Sequence, residues 1–192
     1  MDSAASSSSV LAHRFALDEY HRLIESGGFD EDARVELIEG TIADMSPKTP
    51  EHERLVAWLA RWLTLAVDAQ GYEVHVCAPL TIGDSEPEPD LAVIANDTPQ
   101  PYHPATATLV IEVAVSSQHR DLRQKPTIYA QALVPEYWVI DLDADRVIAH
   151  RDPRDNAYER ITEIPGVGRI APEALGLPQL DVAELLAAAR LR

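Results

Sequence analysis

Two short apolar runs, each interrupted by a single acid, set the strongest limit on how this chain can fold. Pro89-Asp90-Leu91-Ala92-Val93-Ile94 and Leu109-Val110-Ile111-Glu112-Val113-Ala114-Val115 have the length and the β-branched content of buried strands, so segments 89–94 and 109–115 are expected as strands. An ionised carboxylate in such a run is costly to bury unless a partner or a metal compensates it. Neighbouring strands lie about 4.8 Å apart, and one carboxylate from each reaches a shared hard cation at about 2.0–2.6 Å. Oxygen donors without a cysteine or a pair of histidines select magnesium, manganese or calcium over zinc. The Val113 side chain points to the layer opposite Glu112, which leaves its carbonyl as a further candidate ligand.

After Val115 the chain turns polar, Ser116-Ser117-Gln118-His119-Arg120-Asp121-Leu122-Arg123-Gln124-Lys125, and then resumes as Pro126-Thr127-Ile128-Tyr129-Ala130-Gln131-Ala132-Leu133. Proline is tolerated in a first helical turn, where its missing N–H has no partner to lose, so a helix from Pro126 places Lys125 at its start. From there its ammonium can reach back over the end of the Glu112 strand. The simplest structural account of Asp90, Glu112 and Lys125 is an ion pair. Two acids against one lysine still leave net negative charge, and so call for a cation or a raised carboxylate pKa.

The order of these signals has a familiar pattern. A Glu39-Gly40 hairpin, Pro89-Asp90, Glu112-Val113 followed by Ser116, Asp121-Leu122-Arg123-Gln124-Lys125, and Val134-Pro135-Glu136-Tyr137-Trp138-Val139-Ile140-Asp141 together resemble the Uma-type family of restriction endonucleases. That family lies within the PD-(D/E)XK nuclease superfamily, and the similarity runs from about Leu17 to Leu186. The resemblance implies an α/β fold with a restriction-endonuclease-like core: a mixed central sheet flanked by helices, with a C-terminal β-meander and helix in addition. It implies Asp90, Glu112, Lys125 and Glu36 as catalytic residues, with Asp90, Glu112 and Val113 holding the metal. Ala114 stands where the superfamily places its lysine, and Lys125 on the following helix takes that position. The implied activity is hydrolysis of DNA phosphodiester bonds, dependent on Mg2+ with Mn2+ as substitute, by a homodimer. The contrasting expectation is a silent nuclease fold used as an interaction module or DNA mimic.

Composition bounds the remainder. A chain of 192 residues with 46% hydrophobic content suits one domain with a full core, expected over 11–192, after a low-complexity, disordered tail over 1–10. The single cysteine, Cys77, excludes an internal disulfide and is expected as a buried thiol. No apolar run approaches the roughly 20 residues of a membrane span and the start lacks a signal-peptide pattern, so a cytoplasmic protein is expected.

A net charge of −16 opposes bulk attraction to nucleic acid. Between Trp62 and His119 there is no Lys or Arg, whereas Arg120, Arg123 and Lys125 follow at once. Arg120 and Arg123 are therefore candidate phosphate contacts, and binding to DNA is expected to be weak and salt-dependent. His52, in the first turn of a helix capped by Thr49, is a further candidate contact.

The other elements follow from periodicity and caps. Helices are expected over 17–26, from Pro50 with Leu55, Val56, Leu59, Leu63 and Val67 as its buried stripe, and from Asp181 through Leu191. A hairpin joins 35–38 to 41–45, a strand covers 72–77, and a meander is expected over 137–142, 146–151 and 158–164. Tyr137 and Trp138 are expected in the core rather than stacked on bases, and Asp141 at a hairpin turn.

Overall fold

The computed structural model describes residues 13–30, 32–67, 70–115 and 118–190, apart from the side chains of 118–120. The expected N-terminal tail and the last residue of the C-terminal helix lie outside the described residues.

The chain opens with α1 (Leu17–Glu25), which Gly27 ends in a left-handed conformation, φ +69°. A hairpin follows, β1 (Val35–Ile38) and β2 (Thr41–Asp44). Its two turn residues, Glu39 and Gly40, both have positive φ, the conformation a two-residue hairpin of matching twist requires. Helix α2 (Pro50–Val67) starts as its cap predicts: the His52 N–H donates to Thr49 Oγ1 at 3.3 Å. Its whole expected stripe, Leu55 to Val67, is buried.

Next come β3 (Tyr72–Val76), β4 (Leu91–Ala95) and β5 (Leu109–Ala114). Two short helices, α3 (Gln118–Arg123) and α4 (Lys125–Gln131), lead to β6 (Glu136–Asp141), β7 (Arg146–Arg154) and β8 (Ala157–Pro165). A small ribbon of β9 (Arg169–Ile170) and β10 (Leu180–Asp181) precedes α5 (Val182–Arg190), where Asp181 Oδ1 accepts the Ala183 N–H at 3.0 Å.

Strands β3-β4-β5-β6-β7-β8 form one sheet in that order, antiparallel throughout except between β5 and β6, which pair in parallel. A parallel pair needs a crossover, and α3 with α4 supplies it. The expected meander is present as β6 to β8 and continues the central sheet.

Alternation assigns the two faces. Leu91, Val93, Leu109, Ile111, Val113, Trp138 and Ile140 pack with α2 and α5. Ala92, Ile94, Val110, Ala114, Tyr137 and Val139 pack with Ile128, Tyr129 and Ala130 of α4. Glu112 falls in the second set by register, facing α4. Tyr137 and Trp138 are fully buried, and Asp141 Oδ1 accepts the Ala144 N–H in the β6–β7 turn at 3.1 Å.

Three details depart from expectation. Strand β4 begins at Leu91 rather than Pro89, because the Asp90 N–H is taken by a side chain. Helix α3 forms within the polar stretch. Cys77 is half-buried rather than buried: it lies past the end of β3 with φ +48°, and Lys48 Nζ donates to its sulfur at 2.8 Å. No helix among the described residues is long and apolar enough to cross a membrane.

Candidate active site

Helix α4 reaches Glu112 twice from one face. Lys125 Nζ donates to Glu112 Oε1 at 2.7 Å and the Tyr129 hydroxyl donates to the same oxygen at 3.0 Å. Residues four apart share a helix face, so one carboxylate meets both. Lys125 Nζ also stands 3.2 Å from Glu36 Oε2 and 3.5 Å from Asp121 Oδ1. None of these four side chains is more than 5% exposed. The Lys125 ammonium therefore faces three buried carboxylates.

Asp90 adds a fourth. Strands β4 and β5 pair with Leu91 opposite Ile111, and that register carried one step further sets Asp90 opposite Glu112. The two are interlocked: the Asp90 N–H donates to Glu112 Oε2 at 3.4 Å, and Asp90 Oδ2 accepts the Val113 N–H at 2.8 Å. Asp90 Oδ1 lies 2.9 Å from His52 Nε2 at the start of α2. Arg34, Ser46, Lys48 and Glu88 line the mouth of the same cleft, with Arg34 3.5 Å from Glu88.

Burial is the main influence on Glu112 and pushes its pKa well above the usual carboxylate range. Lys125 opposes that rise, while Asp121, Asp90 and Glu36 add to it. Burial alone would pull the Lys125 ammonium down, but Glu112, Glu36 and Asp121 outweigh it and hold the group well above its ordinary range. Glu88 is raised by burial against the pull of Arg34 and Lys48. Among the described side chains that line the cleft, Glu36, Glu88, Asp90, Glu112 and Asp121 stand with Arg34, Lys48 and Lys125, and a divalent cation would add positive charge among these acids. An all-oxygen donor set of Asp90, Glu112 and the Val113 carbonyl suits a hard ion. The grouping of three converged metal-binding side chains found among the described residues lies elsewhere, at His21, Glu86 and His103.

The profile of the Uma2 family, described as "Putative restriction endonuclease", matches residues 17–183. The chain belongs to the Uma2 family. Its fold is close to that in the crystal structure of a "putative nuclease" from Anabaena variabilis, with a TM-score of 0.75 at 17% sequence identity over 91% of this chain and 99% of that one. The type IIG restriction endonuclease BpuSI aligns with a TM-score of 0.43 at 13% identity, over 78% of this chain and 18% of that one. A comparison with curated proteins gives no match. The restriction-endonuclease-like α/β fold expected from the sequence is thus the fold of this Uma2 chain.

Of the residues singled out in the sequence, the structure gathers Asp90, Glu112, Val113, Lys125, Glu36 and His52 in one cleft. Arg123 is exposed and stands apart from the cleft lining, and the side chain of Arg120 lies outside the described residues. Of the described members of the expected basic cluster, Lys125 is enclosed by carboxylates and Arg123 is exposed, while Arg34 and Lys48 line the cleft.

Sequence reasoning passed over Asp121, Tyr129, Arg34, Lys48 and Glu88. Asp121 and Tyr129 each stand four residues from Lys125, a spacing that points to Tyr129 on the expected helix and to Asp121 only once α3 is known. The mouth residues come from separate segments and leave no local signal.

Proposed function

We propose that this Uma2 protein is a metal-dependent endonuclease that hydrolyses DNA phosphodiester bonds. Asp90, Glu112 and the Val113 carbonyl would hold Mg2+, with Mn2+ as substitute. The observation that supports this reading is the convergence of Asp90 and Glu112, opposite each other on β4 and β5, in one cleft with the Lys125 ammonium. Such a cation supplies Lewis acidity, making water more acidic and offsetting charge on the phosphate.

The chain's own groups prepare the site. His52 Nε2 and the Val113 N–H each engage one Asp90 oxygen, which fixes the plane of that carboxylate. The Asp90 N–H and Tyr129 hydroxyl do the same for Glu112. Lys125, held as an ammonium by its three acids, acts as a donor rather than a base: it orients the attacking water or meets a phosphate oxygen as charge builds there. Glu36, whose Oε2 stands 3.2 Å from the same ammonium, is the outer carboxylate and would hold a water near Lys125. Arg34 and Lys48 at the mouth offer the positive charge that a phosphate requires on approach.

Nicking of supercoiled plasmid by the full chain, with Mg2+ or Mn2+ and with excess chelator, tests the reading, with calorimetry of the same ions alongside. Cutting is expected only with the ion. Lys125→Ala is expected to lower cutting by roughly 10²–10³-fold, the scale of a lost electrostatic contact, while still binding the ion; a thermal melt of the variant checks that it folds. Normal cutting by Lys125→Ala removes the lysine from the mechanism. Absence of both cutting and heat of binding supports the interaction-module reading instead.

A further inference from the structure

A second charged cluster lies outside the cleft, where α1 meets two loops. Glu86 is buried, and its ionisable partners among the described residues are two imidazoles. His21 Nε2 lies 2.8 Å from Glu86 Oε2, and His103 Nε2 lies 3.8 Å from Oε1. Among the described residues, no Lys or Arg pairs with this carboxylate, and a buried carboxylate calls for a partner or a metal.

The three side chains converge: one donor atom from each lies within 4.8 Å of the other two. Two ligands about 2.0–2.1 Å from a tetrahedral ion stand about 3.3 Å from each other, a spacing within the 4.8 Å limit that one donor atom from each of the three side chains satisfies. Both imidazoles present Nε2 to the centre. The His21 ring is placed by its Nε2 end and by the Tyr102 ring, whose centroid lies 4.3 Å away. Thr81 Oγ1 donates to Glu86 Oε2 at 3.3 Å and accepts the His103 N–H at 3.2 Å, the outer support that orients ligands in built metal sites.

The geometry points to a transition-metal site, of zinc type, formed by His21, Glu86 and His103 and separate from the acidic cleft. Two nitrogens and one carboxylate are the donors of a borderline-soft ion, in contrast to the all-oxygen set of Asp90 and Glu112. His103 is 39% exposed in its side chain, which leaves the fourth position open to water. The site joins α1 to the segment that carries the cleft acids. Glu86 exchanges backbone hydrogen bonds with Leu37, the neighbour of Glu36, at 2.7 and 3.3 Å, and stands two residues before Glu88. A bound ion therefore fixes the frame of the cleft without entering it.

The test uses full-length protein stripped with chelator and titrated with Zn2+ against a chromophoric competitor, and with Co2+ read by visible absorption. Wild type is expected to take up one equivalent of Zn2+ with excess Mg2+ present, and to give the intense spectrum of tetrahedral Co2+. Loss of an outer partner alone weakens a metal site about 10–100-fold, so His103→Ala, on an exposed loop, is expected to lose at least that much and to abolish the spectrum. Glu86→Gln, near-isosteric, is expected to do the same. Asp90→Asn is expected to leave both readings unchanged. The assignment is overturned by the absence of Zn2+ uptake, by an octahedral Co2+ spectrum, or by uptake that Asp90→Asn removes and His103→Ala spares.

Discussion

Strands β5 and β6 lie side by side, and each carries a buried acid into the apolar sheet, Glu112 toward α4 and Glu136 toward the opposite layer. Around Glu136 the charges balance. Its Oε1 accepts the Trp138 Nε1–H at 2.7 Å and the Arg151 Nε–H at 2.8 Å, and its Oε2 accepts the Ala174 N–H at 3.0 Å. Arg151 in turn donates to the Ala171 carbonyl at 2.9 Å. Glu136 and Arg151 face each other in register across β6 and β7. Around Glu112 one ammonium serves three carboxylates, with Asp90 beside them. A buried acid alone therefore does not identify a reactive site. What separates the two regions among the described residues is how the acid is matched: Glu136 has a guanidinium opposite it, whereas Glu112 shares the Lys125 ammonium with Glu36 and Asp121 and lies against Asp90.

The comparison predicts two kinds of loss. Arg151→Met strands Glu136 without its counter-charge, and breaking a buried pair in this way costs about 3–5 kcal/mol. Urea denaturation measures the loss, and adding Mg2+ or Mn2+ is expected to recover none of it. Lys125→Met should also destabilise the metal-free protein, yet an ion at Asp90 and Glu112 can stand in for the missing ammonium, so that loss shrinks when the ion is added. If both variants respond alike to the ion, the contrast between the two regions fails.

Much of the contrast lies within reach of the sequence once pairing is known. The β6–β7 hairpin sets Asp141 opposite Arg146, and the same register brings Glu136 opposite Arg151. A strand begun at Tyr137, as expected from its apolar run, leaves Glu136 out and hides the pair. The β4–β5 register likewise sets Asp90 opposite Glu112; the lone acid in each apolar run made their meeting an expectation, although continuous apolar runs do not themselves fix a register. The hairpin at Glu39-Gly40 and the caps at Thr49 and Asp181 were legible for local reasons, since turn and cap chemistry is decided within a few residues. Asp121 was not, because its burial beside Lys125 depends on a short helix, α3, within a polar stretch that has no apolar periodicity. The His21, Glu86 and His103 cluster joins three segments far apart in the chain, and no spacing rule connects them.

A smaller effect probes the β5 region directly. A ligand at a hundredfold excess over its Kd stabilises the folded state by about 2.7 kcal/mol, so saturating Mn2+ is expected to raise wild-type stability by about that amount and Asp90→Asn by much less. The pH dependence has a definite sign. Unfolded Glu112 releases its proton near 4.5, whereas burial in the folded protein holds the proton to higher pH. Between those points the folded state binds more protons, and stability falls as pH rises. Metal-free wild type should therefore lose stability relative to Glu112→Gln as pH climbs above 4.5, and Mn2+ should reduce that slope. A difference that stays constant with pH would mean that Glu112 is not held neutral by its surroundings.

The smallest expected effect lies at the rim of the β6 region. Glu173 stands 3.4 Å from Arg151 and 2.9 Å from Arg160, with half of its side chain exposed. Its carboxylate is held below the usual range chiefly by the hydrogen bond from Arg160, but water screens an exposed pair, and such pairs contribute only about 0.2–1 kcal/mol. Glu173→Gln should cost no more than that, because Glu136 already supplies the buried counter-charge of Arg151. Raising the ionic strength to about 1 M, where the screening length falls to about 3 Å, should remove most of the difference between Glu173→Gln and wild type, while the loss in Arg151→Met persists. A Glu173→Gln loss as large as that of Arg151→Met would make Glu173 part of the balance around Arg151, and the Glu136 region would then hold two carboxylates for one guanidinium, closer to the β5 arrangement than to a closed pair.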